Sequence, residues 1–262
     1  MSGAYISGKF ICGGTVLDSS PSWGMSVRSA GNMKFSWSIP NRNRDCFLSA
    51  LCGSGREIAQ VEPVHSKTVY CVSSASELFQ KKGDGIISEN RRLVPVVTAA
   101  DCMPVFLYDR KSKSFGVLHS GWKGTGIAAE AVRIISERHG SQPGDFCIVL
   151  GPHINSCCYH VDRERADYFR RNFGDSCVAY ENGTYSLSLA EANCSLLRRL
   201  GIPAGNILVS NECTCCCKEN GAFKYSSFRR FAASLPQDIS AEEKRKPLAV
   251  QAAFVCAEGF AS

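Results

Sequence analysis

The amino-acid sequence predicts an α+β (mixed α/β) fold, a single domain over residues 1–262 in which mixed β-sheets are flanked by helices. Three observations carry this. Short apolar runs of strand character alternate with segments of helical periodicity. Several neighbouring runs are joined by turns too short for a crossover, so hairpins occur beside strand–helix units. The composition, 44% hydrophobic and 21% charged, is that of an ordinary globular chain, and 262 residues are ample for a buried core.

Residues 1–20 alternate apolar and small side chains about Gly13-Gly14 and predict an edge strand or hairpin. Residues 19–38 are rich in Ser, Gly and Asn and predict loop. Helical spacing of Cys46, Phe47, Ala50 and Leu51 predicts a helix over 41–53. Two strand-like runs follow, 58–64 and 68–72, with His65 in their connection. Gly83-Asp84-Gly85 turns into a short strand, and 93–98 form another.

The stretch 98–125 reads as strand, polar turn at 109–113, strand, and glycine-rich corner into a helix over 126–139 that Gly140 stops. Residues 146–150 are a buried strand ended by Gly151-Pro152. Asp162 is an N-cap for a helix to Phe173. Residues 178–188 form a hairpin about Asn182-Gly183, and Ser188 caps a helix to Leu200. A strand at 207–210, a cysteine-rich loop at 212–220, a basic segment at 225–235, a mobile charged loop at 236–246 and a last strand at 248–256 complete the chain.

The formal net charge of +6, from 30 basic and 24 acidic residues, is too diffuse to indicate nucleic acid. No run approaches the roughly 18 apolar residues of a membrane helix, and the N-terminal stretch is too weakly apolar for a secretory signal. Fifteen cysteines, an odd number, without such a signal predict reduced thiols in a cytoplasmic protein, most of them buried as small apolar groups.

A hairpin centred near Lys111 opposes positions summing to about 221–223, because antiparallel strands pair residue against residue. Cys102, at the mouth of the first strand, then meets His119, at the exit of the second. With His65 these make a candidate set of two imidazoles and one thiolate, the donor chemistry of a catalytic zinc site with a fourth position open. Spacing alone does not place His65. The other readings are a buried core thiol and a hydrogen-bonded corner histidine, or a nucleophilic Cys102 with His119 as its base. Fragments around Cys12, Cys102 and Gly174-Asp175-Ser176 look like a serine protease, but Asp101 stands where the general-base histidine belongs, which excludes that chemistry.

Four motifs occur in order: Thr98-Ala99-Ala100-Asp101-Cys102-Met103-Pro104, His119-Ser120-Gly121-Trp122-Lys123-Gly124, Gly151-Pro152-His153-Ile154 with Cys158-Tyr159-His160-Val161, and Ser227-Phe228-Arg229-Arg230. Together they resemble the YfiH or laccase-domain family, formerly described as multicopper polyphenol oxidases. The resemblance implies a YfiH-like fold. It implies a zinc-dependent purine nucleoside phosphorylase, acting on adenosine, inosine or methylthioadenosine, that also deaminates adenosine. It assigns the metal ligands to His65, Cys102 and His119, with zinc the expected ion and copper the other candidate.

Purine nucleosides and phosphate would be the partners, without nucleic acid or membrane, in a monomer or homodimer. Arg229, Arg230 and Lys123 would hold phosphate, an exposed basic face being the other reading of the arginine pair. Asp101 would orient a histidine, act in acid–base chemistry or cap its turn, and Cys158 would line the site. His153 and His160 read as satisfied loop histidines, and Trp122 as core.

Departures from the family pattern are Pro63 for Gln, Ser66 for Gly, the doubled Ala99-Ala100, Lys123 for Arg, His160 for Glu, and Phe231-Ala232 for an acidic residue and glycine. They leave open a non-catalytic metal-binding or partner-binding protein. A copper-dependent polyphenol oxidase is disfavoured because five histidines are too few for multicopper clusters. The run Cys213, Cys215, Cys216, Cys217 has adjacent thiols that cannot all turn easily to one ion and no second pair at zinc spacing after it; it is expected to be a reduced loop near the site, a redox-sensitive or metal-scavenging role being the other reading.

Overall fold

The computed structural model describes residues 3–236 and 238–260. Met1 and Ser2 of the predicted edge hairpin, Gln237 of the charged loop and positions 261–262 lie outside the described residues. Two mixed sheets dominate. The five-stranded sheet runs Tyr5–Lys9, Ser22–Ser26, Gln251–Cys256, Leu93–Ala99, Glu57–Gln60. The six-stranded sheet runs Ile207–Val209, Phe146–Leu150, Met103–Asp109, Phe115–Ser120, Gly85–Ser88, Val69–Cys71.

Period-two alternation decides how these sheets stack. In Met103–Asp109, Val105 and Leu107 join one apolar cluster with Ile127, Ala131, Val132 and Ile135 of the helix Ile127–His139. Phe106 and Tyr108, pointing the other way, join Met25, Val97, Ala253 and Val255 of the five-stranded sheet. The sheets therefore pack face to face, with Trp23 and Phe106 stacked at 5.3 Å. Helices Ile127–His139, Arg163–Phe173 and Leu189–Arg199 contribute to the cluster on the outer face of the six-stranded sheet. The helix Arg42–Cys52 packs Phe47, Leu48 and Leu51 with Val94, Val96 and Phe254 on the outer face of the other.

The local signals behave as their chemistry requires. Asn41, Asp162 and Ser188 accept the N–H of the third residue beyond them and start their helices. Gly140 ends Ile127–His139 in the left-handed conformation, with φ of 66°. Asn182 and Gly183, with φ of 51° and 79°, turn the hairpin Val178–Glu181 to Thr184–Leu187. Gly13-Gly14 turns a small hairpin that follows the edge strand Tyr5–Lys9 in the chain, and the Gly14 N–H donates to Gly205 O at 2.8 Å.

Some segments differ from expectation. Ser22–Ser26 is a strand inside the predicted loop, second in its sheet. Its serines conceal it: the Ser26 hydroxyl accepts the N–H of Ala252 at 3.0 Å, and Gly24 lies so close to the Phe254 ring that no side chain fits. Phe228–Ala233 is a short helix capped by Ser227, and Ala241–Arg245 is another, closed by a Ser240/Glu243 capping box in the predicted mobile loop.

Candidate active site

The chain leaves the five-stranded sheet at Ala99 and enters the six-stranded one at Met103. The crossing, Ala100–Cys102, forms the site. Asp101 makes the bend with φ of 80°, in the left-handed region few non-glycine residues adopt. Hairpin register pairs His119 with Pro104 and Ser120 with Met103, a sum of 223, within the predicted range. Cys102 thus comes up against His119. The donor atoms of His65, Cys102 and His119 all lie within 4.8 Å of one another, and the two imidazoles meet edge to face at 4.9 Å.

One carboxylate, immediately before the strand Gly85–Ser88, organises this set. Asp84 is wholly buried and accepts the Nδ1–H of His119 at 2.8 Å. It also accepts the N–H of His65 at 3.0 Å, and the N–H and hydroxyl of Ser66 at 2.5 and 2.7 Å. Asp84 thereby commits Nδ1 of His119 and leaves Nε2 as the nitrogen that can ligate once its proton is lost, the outer-shell arrangement common to metal-binding histidines. Burial alone would raise the Asp84 carboxyl, but the His119 imidazole and the Ser66 donors outweigh it and hold it below the ordinary carboxylate range.

Burial opposes ionisation of the Cys102 thiol too. The His119 and His65 imidazoles overcome it and bring the thiol down to about 6. His119 moves the other way: burial works against its charge, but the Cys102 sulfur and Asp84 raise it well above an ordinary imidazole.

Gly121 keeps room for the sulfur. A Cβ there would stand 2.7 Å from Cys102 Sγ and 3.5 Å from His65 Cδ2. This space, a thiolate-forming cysteine and two imidazoles, one with its far nitrogen already committed, fit a borderline-soft cation such as zinc.

The triad opens into a cavity of about 580 Å³, whose lining includes Tyr159, Trp122, Phe35, Arg165, Arg229 and Arg245. Two of its cations flank an aromatic wall: Arg165 lies 4.6 Å over the Trp122 ring and Arg229 5.5 Å over Tyr159. Arg165, from the helix Arg163–Phe173, and Phe35 and Arg245, from segments remote in sequence, carry no local signal for a site.

Other expected residues take different places. Asp101 orients neither histidine. Its carboxylate accepts from Thr214 Oγ1 at 2.7 Å, Ser227 Oγ at 2.9 Å and the Arg229 N–H at 2.6 Å. Burial pushes its carboxyl up, opposed by those donors. Arg230 turns away from the cavity and donates to the carbonyls of Thr214, Cys215 and Tyr225, so it is a clamp on a loop. Lys123 is exposed over Trp122 and outside the cavity lining. Cys158 also misses the lining: the turn in which Cys158 and Tyr159 both donate to Asn155 O sends Tyr159 into the cavity and Cys158 toward Cys213 and Cys216. Buried His153 donates to Gly151 O at 2.8 Å, a satisfied loop histidine, while His160 is exposed on a short strand. Trp122 is half-buried against the core and also faces the cavity.

Fold and site define a YfiH-like mixed α/β domain with a histidine–cysteine centre at the crossing of two sheets. Residues 39–234 match the family described as multi-copper polyphenol oxidoreductase laccase, and the chain belongs to that family. It is similar to a purine nucleoside phosphorylase of Borreliella burgdorferi, 31% identical over 168 residues, 62% of this chain and 72% of that one. The purine nucleoside phosphorylase CA_C1699 of Clostridium acetobutylicum is 29% identical over 65% of this chain and 71% of its own. The adenosine deaminase RL5 of an unknown prokaryotic organism is 31% identical over 51% of this chain, which spans about half, 53%, of that relative. The crystal structure of the hypothetical protein YfiH from Bacillus licheniformis superposes with a TM-score of 0.72 at 28% identity, covering 90% of this chain and 92% of that one. Among the described residues no helix is long and apolar enough to cross a membrane.

Proposed function

We propose that the chain is a metal-dependent purine nucleoside phosphorylase, acting on adenosine, inosine or methylthioadenosine, with adenosine deaminase activity. The observation that carries this is the convergence of His65, Cys102 and His119 within 4.8 Å at a cavity lined by two aromatic-backed arginines. The names of the relatives support the same class.

His65, Cys102 and His119 would hold the ion, for which zinc is the first choice. Bound there, zinc supplies Lewis acidity that brings deprotonation of water near neutral pH. The protein supplies the rest. Asp84 fixes the tautomer of His119 and the backbone of His65. Arg229 and Arg165 provide the charged donors that phosphate requires. Tyr159, Trp122 and Phe35 offer flat apolar surface to a purine. Phosphorolysis joins phosphate to C1′ of the ribose as the bond to the base breaks; deamination exchanges the C6 amino group for oxygen from water, releasing ammonia. Asp101 acts as a positioning residue, since its three donors tie Arg229 and the 214 and 227 loops to the residue beside Cys102.

The depressed Cys102 thiol beside His119 also suits a thiol nucleophile; such an enzyme would work in chelator. A copper polyphenol oxidase has less support, because His139, His153 and His160 do not join the centre and multicopper chemistry needs further imidazoles.

The test is product analysis of adenosine incubated with and without phosphate, beside Cys102→Ala. Phosphate-dependent adenine and phosphate-independent inosine, both abolished in the variant and by chelator, are the expected result. No product from any purine nucleoside, in protein whose zinc at His65, Cys102 and His119 is shown by its loss in Cys102→Ala, would overturn the proposal.

A further inference from the structure

Two loops meet behind the wall of the cavity, and four thiols meet with them. In the first, the N–H groups of Cys158 and Tyr159 both donate to Asn155 O at 2.9 Å, a turn that carries Cys157 and Cys158. In the second, the Cys217 N–H closes on Cys213 O at 2.9 Å, presenting Cys213 and Cys216 at the two-residue interval common among zinc ligands. The loops are locked together independently of the sulfurs. Thr214 N–H donates to His153 O at 2.9 Å, and Asn155 Nδ2 donates to Asn211 O at 3.0 Å.

The sulfurs of Cys157, Cys158, Cys213 and Cys216 all lie within 4.8 Å of one another. Cys157 Sγ is 3.9 Å from Cys158 Sγ and 3.8 Å from Cys216 Sγ. A tetrahedral zinc with four bonds to sulfur of about 2.3 Å has S–S edges of about 3.8 Å. Cys213 Sγ, the buried member, accepts the N–H of Asn155 at 3.4 Å, a contact that favours thiolate. Sequence spacing alone does not show the set, because the partners of Cys213 and Cys216 precede them by two helices, a hairpin and a strand.

We propose that Cys157, Cys158, Cys213 and Cys216 bind a second zinc ion, in a closed four-thiolate site separate from His65, Cys102 and His119. Four protein ligands leave no position for water, so the site is structural. It fastens the loop carrying Tyr159 to the loop whose Thr214 holds Asp101 and whose Cys215 carbonyl receives Arg230. Cys215 and Cys217 are spectators, packed against the two apolar clusters. This site does not depend on the activity proposed above.

The test uses the full chain carrying Cys102→Ser, which disables the first centre, purified reduced and metal-free and titrated with Co2+ alone. The expected result is about one equivalent bound, with the intense visible bands of tetrahedral cobalt thiolate, bleached by Zn2+. Adding Cys216→Ser or Cys157→Ser, both exposed positions, removes the bands and the rise in Tm that zinc produces; adding Cys46→Ser, exposed and remote from the cluster, leaves both. Circular dichroism shows that each variant is folded. Should the serine variants fail to fold, the thiolate-to-cobalt charge-transfer intensity of the Cys102→Ser protein still reads the number of sulfurs. Absence of cobalt binding in folded Cys102→Ser protein, bands of fewer than four thiolates, or binding that survives both serine variants would overturn the proposal.

Discussion

Asp84 accepts the Nδ1–H of His119 at 2.8 Å, and with its remaining capacity holds the backbone of His65 and both donors of Ser66. One buried carboxylate thus sets two of the three residues assigned to the metal. Asp84→Asn keeps the shape and removes the charge. Metal affinity, read by competition with a chromophoric chelator, should fall about 10–100-fold. Asp84→Ala leaves several buried donors without a partner and should cost about 3 kcal/mol or more in urea unfolding of the metal-free protein. Unchanged affinity in Asp84→Asn would remove Asp84 from the centre.

Gly121 is required by space, since its Cβ position lies 2.7 Å from Cys102 Sγ. Gly121→Ala must displace the thiol or the corner that carries it. Occupancy of the His65, Cys102 and His119 centre, measured in a Cys157→Ser background that removes the four-thiolate site, and activity should both fall at least tenfold while the protein still folds. Gly144→Ala, where a Cβ meets nothing within 4 Å, is the matched control and should behave as wild type. Full metal occupancy in Gly121→Ala would show that the sulfur is not held there.

Legibility followed locality. The hairpin 103–120 was readable because register is simple arithmetic once a turn is found, and it brought Cys102 to His119. Helix ends were readable because Asn41, Asp162, Ser188 and Gly140 act within one turn of themselves. Ser22–Ser26 was not, because its strand character comes from neighbours, Phe254 filling the space over Gly24. The resemblance to a family supplied His65, but neither it nor spacing supplied Asp84, whose partners come from segments distant in sequence. It also could not separate Arg229 from Arg230. Adjacent on one short helix, they diverge, one lining the cavity and the other spent on three carbonyls.

Stability should depend on pH most visibly on the alkaline side. Burial, assisted by the neighbouring Cys12, raises the Cys147 thiol from 9.0 to about 12, and burial beside Cys256 raises Cys52 to about 12. Above pH 9 the unfolded chain releases these protons and the folded one keeps them, so stability is lost as pH rises from 9 toward 12. Each thiol contributes a slope of up to about 1.4 kcal/mol per pH unit. Chemical unfolding of metal-free wild type and Cys147→Ala at pH 8 and pH 10.5 measures it. The variant should lose less stability between the two; equal losses would mean the buried thiol ionises as freely folded as unfolded.

Arg229 and Arg230 should separate binding from stability. Arg229 lines the cavity, its N–H on Asp101 and its guanidinium on His160 O at 2.8 Å, with charge left for a ligand. Arg229→Met should raise the KM for phosphate in phosphorolysis about tenfold or more, the loss of one charge-assisted contact. Deamination, which uses no phosphate, should change much less. Arg230 donates to Thr214 O, Cys215 O and Tyr225 O and lies 3.9 Å over the Phe223 ring. Arg230→Met strands those carbonyls and should lower stability by about 2–4 kcal/mol, with both activities declining together as the 212–217 loop loosens. If Arg230→Met raised the phosphate KM selectively at full stability, the guanidinium would have to leave its clamp and enter the cavity, and the assignment of the pair would be reversed.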